Sequence, residues 1–153
     1  MKPRFLLTGT LLVVIGCSRL AALTPAVLSD AEGKWKLHHP SSYRLLVEMS
    51  GDRVEAGKFE VAVQGRDVVS LHRNGLAIMP GRGEDYSMEG LFRMLEQELG
   101  LAEKPAMLGA PPGYSVYTRA KFDDSTGRLL RYRRTVGGTS NSIDVKVLEY
   151  EEK

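Results

Sequence analysis

Six segments of this chain alternate apolar and polar side chains with a period of two, and a single helix-period stripe separates the first three from the last three. Tyr43, Leu45, Val47 and Met49 point one way while Arg44 and Glu48 point the other, and Phe59, Val61 and Val63 repeat the pattern over Lys58–Gln64. Asp67–His72 follows. After the stripe come Tyr114–Phe122, with Val116, Thr118, Ala120 and Phe122 on one side, then Arg128–Val136, then Ser142–Tyr150, where Ile143, Val145 and Val147 alternate with Asp144 and Lys146. Successive side chains of a strand point to opposite faces, so each segment presents one apolar and one polar face. Short turn signals join them: Ser50-Gly51-Asp52, Gly65-Arg66, Asn74-Gly75, Asp123–Gly127 and Gly137–Asn141. Connections this short allow only antiparallel neighbours.

The stripe itself is Met88, Leu91, Phe92, Leu95 and Leu99, spaced as one face of a helix, with Arg93, Glu96 and Gln97 opposite. Ser87 is placed to cap its start and Gly100 to end it. A capping box at Ser29-Asp30-Ala31-Glu32 predicts a second, short N-terminal helix of two to three turns that holds Trp35 and stops at Pro40. The expected fold is therefore α+β: an antiparallel sheet of about five or six strands, one amphipathic helix packed on one face, and the short N-terminal helix.

The beginning of the chain has a different character. Met1-Lys2-Pro3-Arg4 is positive, Phe5–Ile15 is uncharged and rich in Leu and Val, and Gly16 precedes Cys17. This is the layout of a secretory signal, and the apolar run is too short for the roughly 20 residues of a spanning helix. Val14-Ile15-Gly16-Cys17 resembles the bacterial lipobox. That resemblance implies cleavage after residue 16, a diacylglyceryl thioether (palmitate and its relatives) on Cys17, and a membrane partner through that lipid. Ser18 in place of aspartate implies export to the outer membrane, facing the periplasm, where the source has one. The expected organisation is a signal peptide over 1–16, a lipidated tether over 17–28 and one α+β domain over 29–153.

Cleavage changes the electrostatics. The whole chain has 21 Lys+Arg against 19 Asp+Glu, and losing Lys2 and Arg4 leaves 19 against 19. A neutral domain lacks the basic excess of a nucleic-acid binder. Cys17 is the only cysteine, so no disulfide is expected and stability must come from the core.

Candidate chemistry is sparse. His38, His39 and His72 lack zinc-site spacing, and neither a metal nor another cofactor is expected. Nucleophile and metalloprotease motifs are missing. Gly81-Arg82-Gly83 reads as loop. Asp123 and Asp124 precede Ser-Thr-Gly, where aspartate bonds its own backbone in a turn. The most distinctive surface is a basic ladder of Arg119, Lys121, Arg131 and Arg133 on the outer face of the last strands. Lys146 and Arg44 would extend it, and Glu48, Glu60 and Asp144 would neutralise it. Tyr117 and Tyr132 would add flat contact area if they faced outward.

Trp35, the Tyr43 strand, the Lys58–Asn74 hairpin, Ser-Met-Glu-Gly-Leu-Phe at 87–92 and the Phe122–Tyr132 hairpin together resemble an uncharacterised family of bacterial secreted and lipoprotein domains. Members often have a Cys-x-Cys pair after the first long strand. Here that stretch is Met49-Ser50-Gly51-Asp52, which removes any metal or redox role resting on the pair. The Asp…Gly hairpin is also similar to PepSY-type and β-lactamase-inhibitor-like domains, which bind proteins. The expected function is a lipid-anchored envelope protein, a non-catalytic binding or structural module whose partner is an acidic envelope protein or polymer. The alternative is a small envelope enzyme acting on peptidoglycan or peptides.

Overall fold

The computed structural model describes residues 19–52, 56–79 and 85–153. Cys17, the lipobox and Gly81-Arg82-Gly83 lie outside them. The elements run β1 (Ala21–Ala22), α1 (Pro25–His38), β2 (Ser42–Gly51), β3 (Gly57–Gln64), β4 (Asp67–Arg73), β5 (Leu76–Ala77), α2 (Met88–Ala102), β6 (Val116–Phe122), β7 (Leu129–Val136) and β8 (Ser142–Glu152), with a 3-10 turn at Pro105–Leu108. All strands join one antiparallel sheet in the order β1-β6-β7-β8-β2-β3-β4-β5. Two three-stranded meanders thus meet at β8 and β2.

The α+β architecture follows the alternation, but the sheet has eight strands, not five or six. The six long strands are those expected. The two others are two-residue edges, too short for any alternation to register. β5 is folded onto β4 by Asn74-Gly75, whose φ values of 51° and 81° suit a tight two-residue turn.

The N-terminal boundary also moves. α1 starts at Pro25, with Thr24 as its cap, its side chain accepting a hydrogen bond from the Val27 amide. Ser29 lies inside the helix. A proline at the first helical position is pre-set for helical φ and loses no needed donor, so Thr24-Pro25 starts the helix one turn before the capping box does. The stretch expected as tether therefore belongs to the domain from Ala21 onward: β1 pairs with β6, and Leu23 and Leu28 are buried. At the other helix, Ser87 caps α2 as expected, accepting from the Gly90 amide, but the helix runs through Gly100 to Ala102.

Both helices lie on the same face of the sheet. Trp35 and Ala31 of α1 and Met88, Leu91, Phe92 and Leu95 of α2 join Tyr43, Val47, Phe59, Leu129, Tyr132 and Val145 in one core. Burying a side chain of this size contributes about 1.5–3 kcal/mol each. Among the described residues, no helix lies over the reverse face, which presents Arg44, Glu48, Glu60, Arg119 and Arg133. The register shifts in three places, at Leu46/Val47, Ala62/Val63 and Lys121/Phe122. In β8 the extra residue is Leu148, 43% exposed, and in β4 it is Val69, 54% exposed. A bulge inserts one unpaired residue and reverses which side chains face inward beyond it. Past Leu148, Tyr150 consequently turns to the helical side and packs edge-on against Trp35, ring centroids 6.1 Å apart.

Candidate functional site

The sheet's open face collects the basic ladder. β6 presents Tyr117, Arg119 and Lys121, and β7 presents Arg131, Arg133 and Thr135. The register sets Arg119 directly opposite Arg133 and Lys121 opposite Arg131. Like charges facing across strands repel, while on the other side of β7 the register sets Asp144 of β8 opposite Arg133. Arg131 is relieved by β8. Its Nε and Nη2 donate to the two oxygens of Asp144 at 3.0 and 2.6 Å, and these hydrogen bonds hold its pKa above the ordinary arginine value. One strand further, Lys146 pairs with Glu48 at 3.6 Å.

The neutralisation expected from Asp144 and Glu48 is thus spent on Arg131 and Lys146. Among the described residues Arg119, Lys121 and Arg133 have no carboxylate at ion-pair distance, Asp144 opposite Arg133 being turned to Arg131. Arg44 stands apart from the ladder, opposite Glu151 and Ala62, and Glu60 faces His72. Tyr117, Arg119, Arg133 and Thr135 line a shallow depression of about 270 Å³. Tyr117 is 57% exposed there, but Tyr132 does not join it. Tyr132 is fully buried on the helical side, and its hydroxyl donates to Glu98 at 2.9 Å. Burial, with the Glu98 charge beside it, pushes the Tyr132 pKa up.

Two guanidinium groups side by side, open to solvent, offer several donors in a planar fork that matches carboxylate and phosphate oxygens. Further along the same face Arg44, Glu60, Ser70, His72, Glu149 and Glu151 line a second depression, of about 570 Å³.

The other sequence candidates have structural employment. Asp123 Oδ1 accepts from the Ser125 hydroxyl at 2.7 Å and amide at 3.1 Å, and from the Thr126 amide at 2.9 Å and hydroxyl at 3.0 Å. The Ser125 hydroxyl first, then the Thr126 amide, hold the Asp123 carboxyl far below the usual carboxylate range. Of the histidines, His38 contacts Glu152, His39 Nε2 lies 3.6 Å from Glu89, and His72 meets the Ser70 hydroxyl. Among the described residues, no three His, Cys, Asp or Glu side chains are grouped to hold a metal.

A second polar constellation escaped the sequence reading. Glu89, in the first turn of α2, accepts from Trp35 Nε1 at 2.9 Å and from the Tyr43 hydroxyl at 2.6 Å. Tyr43 accepts in turn from the Met88 amide at 3.0 Å. Burial, reinforced by the Glu89 hydrogen bond, raises the Tyr43 pKa well above its ordinary value. One carboxylate thereby ties α1, β2 and α2 together beside a niche of about 660 Å³. The available signal was that a buried indole N–H and a buried phenol each need an acceptor. Which acceptor it would be depends on contacts 46 and 54 residues apart.

No protein-family model matches the chain, and no curated protein matches it.

Proposed function

We propose that this is a lipid-anchored protein of the bacterial cell envelope that captures an acidic partner, protein or polymer, on the open face of its sheet, without catalysis. The observation that carries the reading is the juxtaposition of Arg119 and Arg133 on adjacent strands, with no carboxylate at ion-pair distance among the described residues. Repulsion between them is relieved when an anion binds across both. Exposed Tyr117 adds a flat amphipathic surface of the kind enriched at recognition sites. The signal and lipobox at residues 1–17, and the resemblance to secreted and lipoprotein domains, support the location. No helix among the described residues is long and apolar enough to cross a membrane. Two or more acyl chains at Cys17 would give stable attachment on their own. The outer membrane, facing the periplasm, is the favoured site.

The test combines anchor and face. Photo-crosslinkers placed at Thr135 and Tyr117 in living cells should trap one acidic species. Converting Arg119 and Arg133 together to glutamate should abolish the adduct while the protein stays folded. Cys17→Ser should release the protein from the membrane. Unchanged trapping in the double charge reversal removes the open face as the site, and retention of Cys17→Ser in the membrane removes the lipid anchor.

A further inference from the structure

The niche beside Glu89 lies on the helical side of the molecule, away from the open face. α1 supplies Glu32 and Lys36, the β3–β4 turn supplies Arg66, and the start of α2 supplies Asp85, Glu89 and Arg93. These three acids and three permanent cations do not all pair. Lys36 Nζ reaches Glu32 at 2.9 Å, and Arg93 Nη2 reaches Asp85 at 3.1 Å. Glu89 and Arg66 are left. Glu89 is held by the neutral donors Trp35 and Tyr43, and its nearest cationic neighbour is His39, at 3.6 Å and charged only when protonated. Arg66 has no carboxylate partner among the described residues. Among the described residues the same cavity therefore has one anion and one cation without an ion-pair partner, Glu89 on α2 and Arg66 on the β3–β4 turn, with Phe92 contributing an apolar surface.

We infer that this niche binds a small zwitterion, an amino acid or short peptide, whose ammonium group meets Glu89 and whose carboxylate meets Arg66. The volume falls within the roughly 300–1,000 Å³ of small-molecule sites. The carboxylate is preorganised, because Trp35 and Tyr43 fix both its oxygens before a ligand arrives. Arg66 sits in a two-residue turn, where its side chain can swing onto a ligand carboxylate and form a paired hydrogen bond.

Trp35 is the chain's only tryptophan, and its indole N–H is bonded to the carboxylate that would take the ammonium group. Its fluorescence reports on the site directly. Titrating the full chain with alanyl-alanine should give a saturable change in emission. N-acetylation of the dipeptide or amidation of its carboxylate should each weaken the response roughly tenfold or more, the loss expected for a hydrogen bond between charged groups. Arg66→Ala, at an exposed turn position that leaves the core untouched, should weaken the uncapped dipeptide to the same degree. No saturable change at millimolar dipeptide overturns the inference, as does a response that survives either cap or the Arg66 substitution.

Discussion

Arg134 and Glu98 form a buried ion pair under α2, with Arg134 Nη1 donating to the two Glu98 oxygens at 2.9 and 2.7 Å. Both are nearly inaccessible, at 3% and 7%. Tyr132 donates to the same carboxylate, and Arg134 Nη2 donates to Asn141 Oδ1, whose own amide donates to the Leu108 carbonyl. One network thus fastens α2 and the 3-10 turn to β7 and the β7–β8 turn. Removing one partner leaves an uncompensated charge in the core. Arg134→Met should cost about 3–5 kcal/mol in urea unfolding. Adding Glu98→Leu should restore part of it, since the unpaired charge is gone but the buried Tyr132 hydroxyl and Asn141 Oδ1 are left without their partners. If the double variant is no more stable than Arg134→Met, the pair's main role is not mutual charge compensation.

Gly127 closes the β6–β7 turn against α1. Its φ is +74°, and a Cβ there would run into the Ala31 carbonyl oxygen and sit 2.8 Å from Lys34 Cβ. Gly65, in the β3–β4 turn, has φ +61° but open space around it. Alanine at Gly65 should cost roughly 1–2 kcal/mol for the left-handed backbone alone. Alanine at Gly127 should cost that and about 1–3 kcal/mol more for the collision. Comparable losses at the two positions by thermal unfolding would show that α1 yields to the added methyl group.

Legibility in the sequence divided along range. Six long strands and α2 were readable because their signal is local: alternation and a stripe are complete within a dozen residues. The faces beyond the bulges were not. Continuing the alternation of Ile143, Val145 and Val147 sends Tyr150 outward, yet the unpaired Leu148 turns it inward onto Trp35. Alternation puts the basic ladder on one face but says nothing of diagonal neighbours, so the pairing of Arg131 with Asp144 depends on the register. Glu89 and Glu98 were invisible as sites for the same reason. Each looked like one more acid on an amphipathic helix, and only tertiary contacts to Trp35, Tyr43, Tyr132 and Arg134 give them work.

Asp123 makes stability depend on acid. Its folded pKa is depressed by the Ser125 and Thr126 donors, so the folded state binds this proton less readily than the unfolded chain. The stabilisation is fully present above the ordinary aspartate pKa of about 4 and is lost as pH falls below it. Asp123→Asn should therefore be destabilising at pH 7 and lose that deficit progressively below pH about 4. Urea midpoints of the two proteins, measured from pH 7 downward, should converge. Parallel curves throughout would mean that the carboxylate charge contributes nothing to the turn.

The open face is where binding and stability should move in opposite directions. Arg119 and Arg133 oppose each other across the β6–β7 register, so Arg119→Glu replaces a repulsive cross-strand pair with an attractive one. The variant should gain about 0.2–1 kcal/mol in thermal or urea unfolding. The gain should shrink in 1 M salt, where the screening length falls to about 3 Å. The same substitution should weaken capture of an acidic partner in the envelope crosslinking assay, since one arm of the guanidinium pair now repels it. A variant that is less stable in low salt, and that captures its partner undiminished, would show that the Arg119–Arg133 juxtaposition is not strained and does not serve binding.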